Sequence, residues 1–285
     1  MGKYYYLISG LPELQLDDQK LKLSLSEFKS ELDEHLSASD RKVIAYFFMQ
    51  FDNENLLKFL SNKEAGLNPL GNLNSTQFDE MLMRFKETDN PNESFIHGYF
   101  KEFIPAYLSE TPVYPQMSWD DQLTSLYYDF ASKSKNEFVA QWFQFNLNIN
   151  NVFAALNCMR YGYNREASVI GSSEIADAIR TSNSKDFGIA PLFPEVEELI
   201  RLADEADILE RERKIDLLRW NWLEEKGFFH YFDVEHIFVY LVRLQLLSRW
   251  VKLEKESGLK VFREMISSLQ HSFEFPNEFT IQKVK

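Results

Sequence analysis

Glycine and proline are scarce in this chain, and they are bunched. Its 285 residues hold 10 Gly and 9 Pro, most of them in "SGLPEL" (9–14), "AGLNPLGNLN" (65–74), "TPVYPQ" (111–116) and "FGIAPLFPEV" (187–196). Long intervals therefore lack any residue that breaks regular structure, and their apolar residues recur at helical spacing. The pattern predicts a helix from Asp40, with Asp40 as its cap, and helices over 74–89 and 93–108. "SWDDQLTSLYYDFAS" opens on a Ser118 cap with acidic first-turn residues that suit the helix dipole. Further helices are expected over 135–147, 148–161 and 172–183. Pro194 marks the first turn of another, which runs with one break to Gly227. A last pair covers 233–256 and 259–272. Alternation is confined to "KLKLSLSEF" (20–28), a short strand or an extended arm. The expected fold class is all-α.

Composition narrows the function. A chain with 45% hydrophobic residues, including 25 Phe, 13 Tyr and 5 Trp, can bury a core without disulfides. The single Cys158 allows no intrachain bridge and fits a reducing compartment. The net charge of −13 argues against nucleic acid, which demands Lys/Arg clusters, and against direct docking on anionic lipid. It favours a protein partner with a basic face. The opening "MGKYYYLISGLPEL" lacks the apolar core of a secretory signal, and Tyr6 stands where a myristoylation start needs Ser or Thr. The most apolar run, Ile237 to Leu247, carries Arg243 and Gln245 and is too short to span a bilayer.

One short pattern occurs three times. Phe51-Asp52-Asn55-Leu56, Leu147-Asn148-Asn151-Val152 and Phe232-Asp233-His236-Ile237 share an apolar residue, then Asp or Asn, then Asn or His three positions on, then an aliphatic residue. Each reads as a helix start. The Asp or Asn caps orphan backbone N–H groups, and the flanking apolar residues staple the entry angle. Glu54 and Glu235 add negative charge near the helix N-terminus. Three such joints suggest three small helical lobes within one all-α chain, spanning 1–112, 113–190 and 191–285.

Chemistry-bearing residues do not converge in the sequence. His230, Asp233 and His236, with Glu235 close by, form the nearest approach to a metal pattern. A cap, a first-turn residue and a loop histidine account for them, and a structural zinc site needs four ligands at recognisable spacing. His35, His97 and His271 are isolated, and Cys158 lies on an apolar helix face. "VIGSSEIADA" lacks the lysine and preceding strand of a phosphate loop, and "DEADILERER" reads as surface ion pairs. No catalytic residue, cofactor or metal is assigned.

A resemblance extends this reading. "NLNINNVFAALNCMRYGYNREASVIGSSEIADAI" (146–179) resembles a segment of the C subunit of V/A-type rotary ATPases, the counterpart of the d subunit in vacuolar enzymes. That family carries an Asp-x-x-Asn-aliphatic start, an Arg-containing stretch and a Gly-rich turn before the next helix. The chain departs from it at Asn148 (usually Asp), Asn157 (usually Arg) and Gly171 (usually a Gly pair). "FDVEHIFVYLVRLQLLSRWVKL" (232–253) is similar to the family's C-terminal helix, and "YYYLISGLPELQ" (4–15) to its aromatic start. The whole looks more closely like an uncharacterised bacterial family encoded beside V-type ATPase genes. The resemblance implies an all-α funnel of three pseudo-repeated lobes. It further implies a non-catalytic role, coupling the central stalk to the membrane ring for ATP-driven ion transport. Its partners would be other V/A-type ATPase subunits. It would touch no nucleic acid, and would sit on the cytoplasmic face of the membrane only through protein partners. A free-standing helical adaptor is the alternative, and an unrecognised metal-dependent enzyme a third.

Overall fold

A computed structural model describes residues 3–88 and 91–272. The elements in chain order are α1 (Tyr5–Gly10), α2 (Leu25–His35), α3 (Ala38–Ser61), α4 (Ser75–Glu87), α5 (Phe100–Leu108) and α6 (Trp119–Ala131). There follow α7 (Glu137–Tyr161), α8 (Arg165–Ser168), α9 (Glu174–Thr181), α10 (Val196–Ala203), α11 (Ile208–Gly227) and α12 (Val234–Ser272). The fold is all-α, with no strand among the described residues.

Local sequence explains most helix starts. Ser24 and Asn74 form capping boxes with Glu27 and Gln77, so each pair satisfies two orphan N–H groups reciprocally. Ser118, Asn136 and Ser173 cap α6, α7 and α9 through side-chain oxygens. Gly162, at φ +71°, ends α7 in the left-handed conformation that Cβ-bearing residues resist.

Several expectations need correction. Ser37, not Asp40, caps α3; its hydroxyl accepts from the Asp40 backbone N–H. "KLKLSLSEF" forms no strand, because residues from Leu25 already belong to α2. In the 93–108 interval only Phe100–Leu108 is α-helical. Pro194 lies two residues before α10, not inside its first turn. The intervals 135–147 and 148–161 are one helix of 25 residues. Likewise 233–256 and 259–272 form one helix of 39 residues. In α7 the asparagines at 146, 148, 150 and 151 are poor helix formers, but tertiary hydrogen bonds of 146, 150 and 151 offset their propensity.

The long helices set the architecture. α12 packs against α2, α3, α7 and α11; α6 packs against both α3 and α7. The helices α3, α6, α7 and α12 thus form a closed ring of neighbours. α4 joins α3 from outside, while α8, α9 and α10 cover α7. Phe47, Phe143 and Phe238 meet between α3, α7 and α12, with ring centroids 6.4–6.5 Å apart. Asp216 on α11 is buried and accepts from Arg219, Arg249 and the Trp250 indole N–H, tying α11 to α12. Among the described residues no helix is long and apolar enough to cross a membrane.

Candidate partner-binding site

The repeated pattern does not mark three joints. Asp52 and Asn55 lie in the middle of α3, and Asn148 and Asn151 in the middle of α7. An interior helical position has no orphan N–H to cap, so these side chains turn away from the helix, and most of them hold loops. Asn55 accepts from the Asn68 N–H at 2.6 Å and donates to its carbonyl at 2.9 Å. Asn151 accepts from the Ile170 N–H at 3.0 Å and donates to its carbonyl at 2.7 Å. Each amide thereby stands in for the backbone of a neighbouring strand, satisfying a buried peptide group that has no ladder partner.

The neighbouring position separates the two clamps. Asp52 accepts from the Leu73 N–H at 2.9 Å and from Asn72 Nδ2 at 2.7 Å, and its Oδ2 lies 2.8 Å from His97 Nε2. Asn148 instead accepts from Gln144 within its own helix, at 2.9 Å. A cation completes each loop. Lys29 donates to the Leu70 and Gly71 carbonyls, and burial pushes its ammonium below the ordinary range. Arg180 donates to the Val169 and Gly171 carbonyls. A Cβ on Gly71 would lie 2.7 Å from Asn55 Nδ2, so only glycine passes this close to the clamp. Of the apolar members, Leu56, Leu147, Val152 and Ile237 are buried, and Phe51 and Phe232 lie against the core; in the α3 and α7 copies they are interior helical residues and staple no helix start.

Only the third copy is a helix cap. Asp233 Oδ1 accepts from the His236 N–H at 3.0 Å at the start of α12. His230 Nδ1 lies 2.7 Å from Asp233 Oδ2 and 3.9 Å from Glu235 Oε2. These three groups, rather than His230, Asp233 and His236, share one small space, with ligand-type atoms within 4.8 Å. His236 turns its Nδ1 to the His230 carbonyl instead. Cap, hydrogen bond and turn account for every one of these contacts. Cys158 is buried, and His271 has its side chain outside the described residues.

A cavity of about 450 Å³ opens between α3, α6, α7 and α12, inside the helix ring. Phe47, Tyr127, Tyr128, Trp142 and Phe143 give it aromatic walls; Gln50, Asn53, Asn146 and Gln245 bring polar groups. Those groups are held in place. Gln245 donates to Gln50 across the α3–α12 contact at 2.9 Å, and Asn53 accepts from the Tyr99 hydroxyl at 2.6 Å. Asn146 donates to the Tyr128 hydroxyl and accepts from Arg219 Nε. Burial drives the Tyr99 and Tyr127 phenols well above their ordinary range, and Tyr128 upward, so all three stay neutral. Glu54 pairs with Lys58 at the mouth. The lining combines aromatic surface with hydrogen-bonding amides, and Asp120, Glu54 and Lys58 add charged groups. The sequence signal for it was the set of amides on otherwise apolar helix faces, which periodicity alone passes over.

A protein-family model matches residues 1–273. The chain belongs to the family described as protein of unknown function (DUF2764). No curated protein and no solved structure matches it. The match takes in both loop clamps, the helix ring and its cavity, so this DUF2764 chain carries all of them within the family's extent.

Proposed function

We propose that this DUF2764 protein is a non-catalytic coupling subunit of a bacterial V/A-type ATPase. It would link the membrane ring to the central stalk, held at the cytoplasmic face of the membrane through its protein partners. The observation that carries the reading is the ring of α3, α6, α7 and α12 around a cavity with aromatic walls and tethered amides. Such a seat suits the end of a partner helix, because aromatic walls supply contact area and fixed amides meet exposed backbone groups at a helix end. The acidic balance of the chain supports a basic stalk foot as the occupant. The resemblance of residues 146–179 to the C subunit of the rotary enzymes supplies the link to the ATPase, and with it the reading of the whole as a three-lobed funnel.

Co-purification tests the proposal. A tagged chain should retain central-stalk or ring subunits from gently solubilised membranes. Thr124→Trp, which fills the cavity from α6, should release them while leaving thermal stability near that of the parent. Absence of ATPase subunits from the parent pull-down would remove the coupling role and leave the free-standing adaptor.

A further inference from the structure

The turn between α11 and α12 carries aromatic side chains that serve neither the core nor the clamps. Phe228 is 63% exposed, Phe229 81% and Tyr231 58%; from the N-terminal segment Tyr6 adds a ring that is 80% exposed. Contacts order them in two groups. Phe228 and Phe229 meet edge to face with centroids 5.0 Å apart, and the His230 N–H closes their turn on the Gly227 carbonyl at 2.9 Å. Tyr5 bridges the two segments, 4.9 Å from Phe232 and 5.6 Å from Tyr6. The N-terminal segment is fixed as well: the Tyr4 N–H donates to the Phe232 carbonyl at 3.1 Å, and Lys3 and the Tyr4 hydroxyl reach Asp40 on α3. Ordered groups of large rings held on water, on two segments tied by the Tyr4–Phe232 bond, are the signature of an interaction surface, since single exposed apolar residues need no such explanation.

We propose that this aromatic corner docks a basic amphipathic helix of a partner protein. Charge selects that occupant. Glu224, Glu225, Asp233 and Glu235 flank the rings along the chain. Of the nearby cations, Lys226 pairs with Glu225, Arg243 lies 3.8 Å from Glu224 and Lys3 pairs with Asp40, so Lys226 and Arg243 leave the four carboxylates in excess. The carboxylates would meet lysines or arginines of the partner while the rings take its apolar face, with cation–π contacts between. An anionic membrane would face the same carboxylates on a chain of net charge −13. A second copy would bring like charges together across a symmetric contact. The surface lies apart from the cavity in the helix ring, so it stands whether or not the coupling role does.

The test uses the full chain and a synthetic Leu/Lys amphipathic helix labelled for fluorescence anisotropy. The parent should bind it, more weakly as salt rises. The double variant Phe228→Ser/Phe229→Ser should weaken binding about tenfold or more, as should Glu224→Lys/Glu225→Lys. A Leu/Glu helix should not bind. If the double serine variant melts early, Tyr6→Ser/Phe229→Ser replaces it. Equal binding by the serine variants, or by the Leu/Glu helix, overturns the proposal. So does flotation of the parent, lost in the serine variant, with phosphatidylcholine/phosphatidylglycerol vesicles. A dimer in sedimentation that the serine variant abolishes overturns it equally.

Discussion

The clamps on α3 and α7 use one device with two chemistries. In both, an asparagine inside a long helix pairs with a single loop peptide, 13 residues on in α3 and 19 in α7, and a cation gathers the loop carbonyls. They part at the position three residues earlier. Asp52 brings a buried carboxylate with three tertiary partners; Asn148 brings a neutral amide whose acceptor is used within α7. The shared asparagine does the geometric work common to both. The α3 loop depends in addition on a buried charge, whereas the α7 loop draws on Ser125 and Asp129 of α6, which accept from the Gly171 and Ser172 N–H groups. The α3 loop is held by α3 and by Lys29 of α2, and the α7 loop by α7, α6 and Arg180 of α9.

Mutation can separate these designs. Asp52→Ala strands the Leu73 N–H, Asn72 and His97 in a dry site and should cost about 3–5 kcal/mol by urea denaturation. Asn148→Ala should cost only about 1 kcal/mol, because no loop group loses its partner. Equal losses would erase the distinction. Asn55→Ala and Asn151→Ala should each cost about 2 kcal/mol, and their near equality would establish the common part of the device. Gly71→Ala and Gly171→Ala should each cost about 1–3 kcal/mol, the second more. At Gly171 a Cβ lies 2.8 Å from Leu147 Cδ2 and the backbone is at φ +84°, so strain adds to crowding.

The smallest effect is a response to acid. Asp40, near the start of α3, loses some favour for its charge through burial, but Lys3, Tyr4 and Ser37 more than restore it and hold the carboxyl below the ordinary range. A depressed carboxyl stabilises the fold above its unfolded value, and the contribution fades as pH falls through the folded one. The tie between the N-terminal segment and α3 should therefore loosen below a pH of about 4, and hydrogen exchange at the Tyr4 amide should quicken. Asp40→Asn should abolish this pH step.

Particular residues show how far the sequence can be read. Ser118 is legible as a cap because its role is complete within three residues: the hydroxyl accepts from the Asp121 N–H. Asp40 mimics the cap that Ser37 provides because both precede the apolar run, and only backbone conformation separates cap from first turn. Asp52 and Asn148 mislead for a deeper reason. An acceptor ahead of an aliphatic residue looks the same whether it caps the helix it starts or lies inside a helix that runs on past it. The cavity inside the ring leaves only amides on apolar helix faces as a trace in the sequence, because its lining comes from four helices far apart along the chain.

What the sequence determined by itself is the all-α class, most of the breaks between helices, and the caps at Ser118 and Asp233. Those follow from local rules, since a breaker or a capping hydroxyl acts on its immediate neighbours. The tertiary structure decided the rest. It made α7 and α12 continuous, converted two apparent helix starts into loop clamps, and closed four helices around a cavity. The physical reason is that a hydrogen-bonding side chain is committed by whatever partner lies opposite, and here the Asn68 and Ile170 peptides arrive only when the chain folds back.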